Sequence, residues 1–121
     1  MSIGELVLLM MFLHVLDDYV LQGILASLKQ KSWWETNAPD PKYKNDYLAA
    51  LFFHGFSWSF MIHLPLFIIG WKYVIASIII QGLIHSFIDD QKANKFRLNL
   101  IQDQLFHMIQ IASIVLLYLI L

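Results

Sequence analysis

Cysteine is absent from the 121-residue chain, which excludes disulfide frameworks, thiolate zinc sites and cysteine nucleophiles. Charge is scarce. Asp, Glu, Lys and Arg make up 14% of the residues and hydrophobic residues 59%, against about 25% and about 45–50% in a soluble domain. A composition displaced in both directions excludes an ordinary soluble domain and a disordered chain alike. The net charge of −1 offers no general attraction to nucleic acid. A basic stretch ahead of the first apolar run is also missing. Glu5 stands there and no small-residue cleavage pattern follows, so that run is expected to be a retained span rather than a cleavable signal peptide.

The remaining class is a small polytopic membrane protein. A spanning helix needs about 20 mainly apolar residues, and four windows qualify: 3–28, 47–69, 71–90 and 100–121. They leave room only for short connections, so residues 1–121 are expected to form a single integral membrane domain. Asn45 or Asp46 is placed to cap the second span, Pro65 to kink it, and Gly70 to end it in a tight turn. Trp33 and Trp34 suit a membrane-interface belt. The linkers after the first and third spans hold seven of the eight basic residues, and the second linker only Lys72. By the positive-inside rule those two linkers are cytoplasmic. The expected fold is therefore an all-α, four-transmembrane-helix, up-down bundle with both termini on the non-cytoplasmic side.

The informative residues lie inside the apolar windows. His14 and Asp18, His85 and Asp89, and Asp103 and His107 are each four apart, so each pair shares one helix face. Gln22 extends the first stripe, Ser77 and Gln81 the third, and Gln110 the fourth. The second span offers His54, with Ser57 and Trp58 on the same side. Counted at about 1.5 Å per residue, the Asp of every pair lies on the cytoplasmic side of its His. One such pair is as compatible with a structural hydrogen bond as with a ligand role; three with matching polarity point to a shared polar centre. His63 falls on the opposite face and reads as structural. Asp17 and Asp90 lie 100° from their neighbours and read as facing the interface or the linker bases.

Ionisable residues inside a membrane are costly, face the bundle interior and need partners, yet the only Lys or Arg within a window is Lys72, at the outer edge of the third. The balancing charge must come from a metal, from protons or from protonated histidine. Imidazole and carboxylate suit a divalent ion, zinc or another transition metal. His14, Asp18, His54, His85, Asp89, Asp103 and His107 are the candidate ligands. Seven exceed one tetrahedral site, which suggests two ions, or one ion with catalytic and orienting groups.

These motifs resemble a family of small bacterial and phage polytopic membrane proteins known only as a domain of unknown function. The run His14-Val-Leu-Asp-Asp18-Tyr19-Val-Leu-Gln22 with Lys29 or Lys31 downstream, His54 with Trp58, His85-Ser-Phe-Ile-Asp89 followed by Lys92, and Asp103-Gln104-Leu-Phe-His107 match its motifs in order along nearly the whole chain. The chain departs at Asp17, where the pattern calls for a small residue. The resemblance implies a membrane bundle, in the bacterial inner membrane, and supports the chosen ligands, but carries no activity.

The leading expectation is a metal-dependent hydrolase acting on a lipid or lipid-linked substrate at the cytoplasmic leaflet. Asp89 or Asp103 would be the general base, with Gln22, Gln104 and Lys92 orienting the substrate. Two alternatives use the same cluster: a metal-ion or proton transporter, and a metal-stapled structural protein acting through partners. A transport path is poorly supported in one copy, because the outer halves of the spans are almost wholly apolar; a homo-oligomer could form one.

Overall fold

The structure, a computed structural model, describes residues 1–121 and is wholly helical apart from turns and short connections. The elements are α1 (Ile3–Val15), a π-helical turn (Leu16–Leu21), α2 (Leu25–Leu28), α3 (Lys31–Asn37), a 3-10 turn (Pro41–Tyr43), α4 (Asp46–Ile69), α5 (Val74–Ala93) and α6 (Leu100–Ile120). Local chemistry sets several boundaries. A capping box starts α1, with Ser2 Oγ accepting from Glu5 N at 3.1 Å and Ser2 N donating to Glu5 Oε2 at 2.9 Å. Asn99 and Gln102 do the same for α6. Asn45 is the N-cap of α4 but makes no side-chain cap bond. Gly70 ends α4 with φ 84°, a left-handed turn that favours glycine. α4 continues through Pro65.

The four long helices pack as a ring in which α1 meets α4 and α6, and α5 meets α4 and α6. Short connections make α4, α5 and α6 antiparallel neighbours. α4 and α5 approach closest. A Cβ on Gly55 would fall 2.7 Å from the Gly82 carbonyl oxygen and strike Ser86 Oγ, and a Cβ on Gly82 would fall 2.8 Å from the Phe56 ring. Ser86 Oγ donates across this contact to Leu51 O at 3.0 Å and lies 2.9 Å from Gly82 O. At one end, Asn94 Oδ1 accepts from Lys31 N at 2.6 Å while its amide donates to Lys29 O at 3.0 Å. The two most basic connections are thus tied together, as their charge pattern suggests.

One expectation is corrected and another is met in part. The window 3–28 is not one regular helix. It passes from α into π geometry at Leu16 and breaks at Gly23, whose φ is 56°. Of the four expected spans, two helical segments are long and apolar enough to cross a membrane, Pro41–Ile69 and Leu100–Ile120. α1 has 13 residues before its geometry changes. α5 is long enough, but Gln81, His85, Asp89, Asp90 and Lys92 dilute its apolar character.

Burial is inverted relative to a water-soluble bundle. Of 31 buried residues, 14 are polar or charged, including every histidine, while Leu8, Phe53, Ile68, Phe87 and Ile101 are each more than 65% exposed. The interior has two zones. Leu6, Met10, Ile62, Leu66, Ile111 and Ile114 form an apolar cluster; the buried carboxylates and the other four histidines lie in the half nearer the basic connections, while Ser59, His63, Ser77 and Gln81 are buried in the far half. Because Gly55 sets the α4–α5 distance, Gly55→Ala is expected to destabilise the bundle by about 1–3 kcal/mol through overpacking. Gly4→Ala, which has only Ser2 Oγ nearby at 3.9 Å, should be neutral. Thermal unfolding of both variants in detergent measures the difference.

Candidate metal centre

Each long helix contributes to the polar zone: α1 and its π turn give His14, Asp17 and Asp18, α4 gives His54, α5 gives His85 and Asp89, and α6 gives Asp103 and His107, all buried. The i+4 spacing and the close α4–α5 contact bring four of them to a point. His54 Nε2 lies 3.0 Å from Asp18 Oδ1, 3.2 Å from Asp89 Oδ2 and 3.3 Å from His85 Nε2. His85 Nε2 lies 3.5 Å from Asp89 Oδ2 and 4.0 Å from Asp18 Oδ1. A tetrahedral ion with bonds of about 2.0–2.1 Å separates its ligands by about 3.3–3.4 Å. These five of its six edges, 3.0–4.0 Å, bracket that value.

A second group sits beside the first. His107 Nε2 lies 3.3 Å from Asp103 Oδ1 and 3.4 Å from Asp89 Oδ1. Asp18, Asp103 and His107 also offer donor atoms within 4.8 Å of one another. Asp89 therefore presents one oxygen to each group, and Asp18 belongs to both.

The hydrogen-bond network fixes which nitrogens are available. Gln110 Nε2 donates to Gln81 O at 3.1 Å, a group that can only accept, so Gln110 Oε1 faces His107 and accepts from its Nδ1–H at 3.1 Å. The neutral ring then carries its lone pair on Nε2, facing carboxylate oxygens. Neither His107 Nε2 nor Asp103 Oδ1 has a hydrogen-bond partner, and both are buried. Lone pairs opposed at this distance require a cation, either a proton on Nε2 or a metal. An imidazole that donates its other N–H to a fixed carbonyl is the usual arrangement of a metal-bound histidine.

His14 behaves differently. Trp58 Nε1–H donates to His14 Nδ1 at 2.7 Å, leaving Nε2–H to donate to Gln104 Oε1 at 2.8 Å. Gln104 Nε2 in turn donates to Asp103 Oδ2 at 3.1 Å and Asp18 Oδ2 at 3.3 Å. Both nitrogens of His14 are engaged, and it stands outside both donor groups; it orients Gln104, which orients two carboxylates. Trp58 also stacks on His85 at 4.0 Å between ring centroids, and His85 on His107 at 4.1 Å. The expected substrate-orienting Gln22 donates to Asp18 O at 2.8 Å, and Lys92 Nζ lies 3.6 Å from Asp103 Oδ2.

Asp17 does not face the interface, as its α-helical position suggests. It is 2% exposed and accepts from Ser57 Oγ at 2.8 Å. The wider π turn, with i→i+5 bonds, lets adjacent Asp17 and Asp18 both turn inward. Lys29 is a second residue that helical spacing misses: its Nζ pairs with Asp89 Oδ2 at 3.0 Å, folded back by the break at Gly23. The downstream Lys of the first motif was its only trace in the sequence. His63 is structural, as expected, its Nδ1–H donating to Ser59 O and its Nε2 accepting from Ser77 Oγ, both at 2.7 Å.

The buried carboxylates of Asp17, Asp18, Asp89 and Asp103 face two ammonium groups, Lys29 and Lys92. With neutral histidines, two negative charges remain, which one divalent cation balances. These groups could hold one or two metal ions.

No protein-family model, curated protein or solved structure matches this chain.

Trp58→Phe keeps the ring stacked on His85 but removes the donor to His14 Nδ1. It is expected to cost about 1–3 kcal/mol in unfolding, the usual effect of stranding a buried polar atom, read against wild type by chemical denaturation in detergent.

Proposed function

We propose that the protein is an integral membrane metal-dependent hydrolase whose centre opens toward the end carrying the basic connections. The observation that carries this reading is the convergence of His54 Nε2, His85 Nε2, Asp18 Oδ1 and Asp89 Oδ2 within 4.8 Å of one another, with the two nitrogens 3.0–4.0 Å from the oxygens and 3.3 Å apart. The inverted burial supports the membrane setting. The family resemblance of the motifs agrees with it, and by the positive-inside rule the basic end is cytoplasmic.

A divalent cation in such a centre lowers the pKa of a bound water toward neutrality. Around it, the chain's own residues divide the work. His54, His85, Asp18 and Asp89 are the ligands, and Asp89 links the two donor groups through its two oxygens. Asp103, with Oδ1 free of hydrogen bonds, is the general base. Trp58, His14 and Gln104 hold the carboxylates in place. The substrate is a lipid or lipid-linked ester, because the site is reached from the interfacial end.

Transport through the same cluster is the weaker reading. Ile62, Leu66 and Ile114 have no exposed surface in the opposite half of the bundle, and the polar groups there, His63 with Ser59 and Ser77 and Gln81 with Gln110, are hydrogen-bonded to one another and include no carboxylate. A metal that only staples the bundle predicts binding without turnover. Protonation of His54 and His107 would satisfy the carboxylates with no metal.

Elemental analysis of protein purified in detergent without chelators tests the proposal. The expected result is one or two transition-metal ions per chain, reduced at least about tenfold by His85→Ala. Metal-free wild type would establish the proton reading instead. With metal bound, release of product from lipid vesicles supports hydrolysis, and metal uptake into sealed vesicles supports transport.

A further inference from the structure

A cavity of about 340 Å³ opens at the basic end, walled by Gln22, Lys29, Gln30, Asp89, Lys92 and Phe96. It is the polar way in to the centre, since Asp89 belongs to both its wall and the donor set. The wall carries two ammonium groups and one carboxylate. Lys29 is mostly buried and Lys92 partly exposed, and each currently neutralises a carboxylate of the centre, Asp89 or Asp103. Gln22 adds a buried Oε1 with no hydrogen-bond partner, an acceptor suited to a ligand hydroxyl or N–H.

We infer that this cavity binds the phosphate group of a phosphoester, with two cationic partners: Lys29, released once a divalent cation has taken over Asp89, and the more exposed Lys92 beside Asp103. The inference rests on the metal-centre reading above and names the substrate class of that site. Its logic is exchange of counter-ions. Without a metal, the two lysines are held by the carboxylates and the cavity has little net positive charge. With a metal, Asp89 is compensated from inside, and Lys29 can turn to an anion at the mouth, beside the more exposed Lys92. Metal and phosphoester then bind with positive coupling, and linkage requires the same factor in both directions.

The test is calorimetric titration of the full chain in neutral detergent with Mn²⁺, and with glycerol phosphate, inorganic phosphate or dihexanoyl phosphatidic acid, each alone and together. The expected result is phosphoester binding that is at least about tenfold tighter with Mn²⁺ present, and Mn²⁺ binding tighter by the same factor with the phosphoester. Lys29→Met should lose that coupling while still binding Mn²⁺. Lys92→Met, at a more exposed position, should weaken it by about tenfold and guards against misfolding of the first variant. Preference for the short-chain lipid over glycerol phosphate and inorganic phosphate assigns a lipid headgroup; equal binding of all three assigns a soluble phosphoester. Mn²⁺ binding with no coupling to any of the three probes, or coupling unchanged in both lysine variants, overturns this inference alone. Failure of wild type to bind Mn²⁺ or another transition metal overturns it together with the metal-centre reading.

Discussion

Four carboxylates buried at one end of a small helical bundle repel one another, and everything around them is arranged to make that tolerable. Like charges a few ångströms apart away from water cost several kcal/mol, far more than any single packing contact returns. Two lysines supply part of the compensation from the basic connections. Ser57 and Gln104 supply neutral donors. Histidine nitrogens face the remaining oxygens at distances of about 3.0–3.5 Å, where a cation between donor atoms is the most direct way to turn repulsion into attraction.

That constraint explains features with no rationale in packing alone. The π turn carries an otherwise awkward Asp17 into contact with Ser57. Gly55 and Gly82 let α4 and α5 approach closely, which brings His54 and His85 within 3.3 Å. The stack of Trp58, His85 and His107 leaves the imidazoles little freedom to rotate, and Gln110 selects the tautomer of His107. The apolar cluster lies on the far side of the centre, and the cavity beside Lys29 and Lys92 meets it at Asp89 on the near side.

Much of this is legible in the chain. The i+4 His/Asp pairs identify the inward faces of three helices, because helical spacing is local geometry. The ends of α4 and α6 follow from Gly70 and from the polar residues before Leu100. Local geometry does not say what a side chain meets across the bundle. His14 has the same spacing to its Asp as His85, yet an indole N–H from α4 occupies one of its nitrogens and removes it from the donor groups. Asp17 was hidden because α-helical angles do not apply within a π turn. Lys29 was hidden because its reach depends on a chain reversal at Gly23.

X-ray absorption at the metal edge of the loaded protein tests the central claim most directly. The account predicts nitrogen and oxygen ligands at about 2.0–2.1 Å, the outer-shell scattering of at least two imidazoles, and loss of one imidazole in His54→Ala. A coordination shell of oxygen alone, with no imidazole signal, would contradict it.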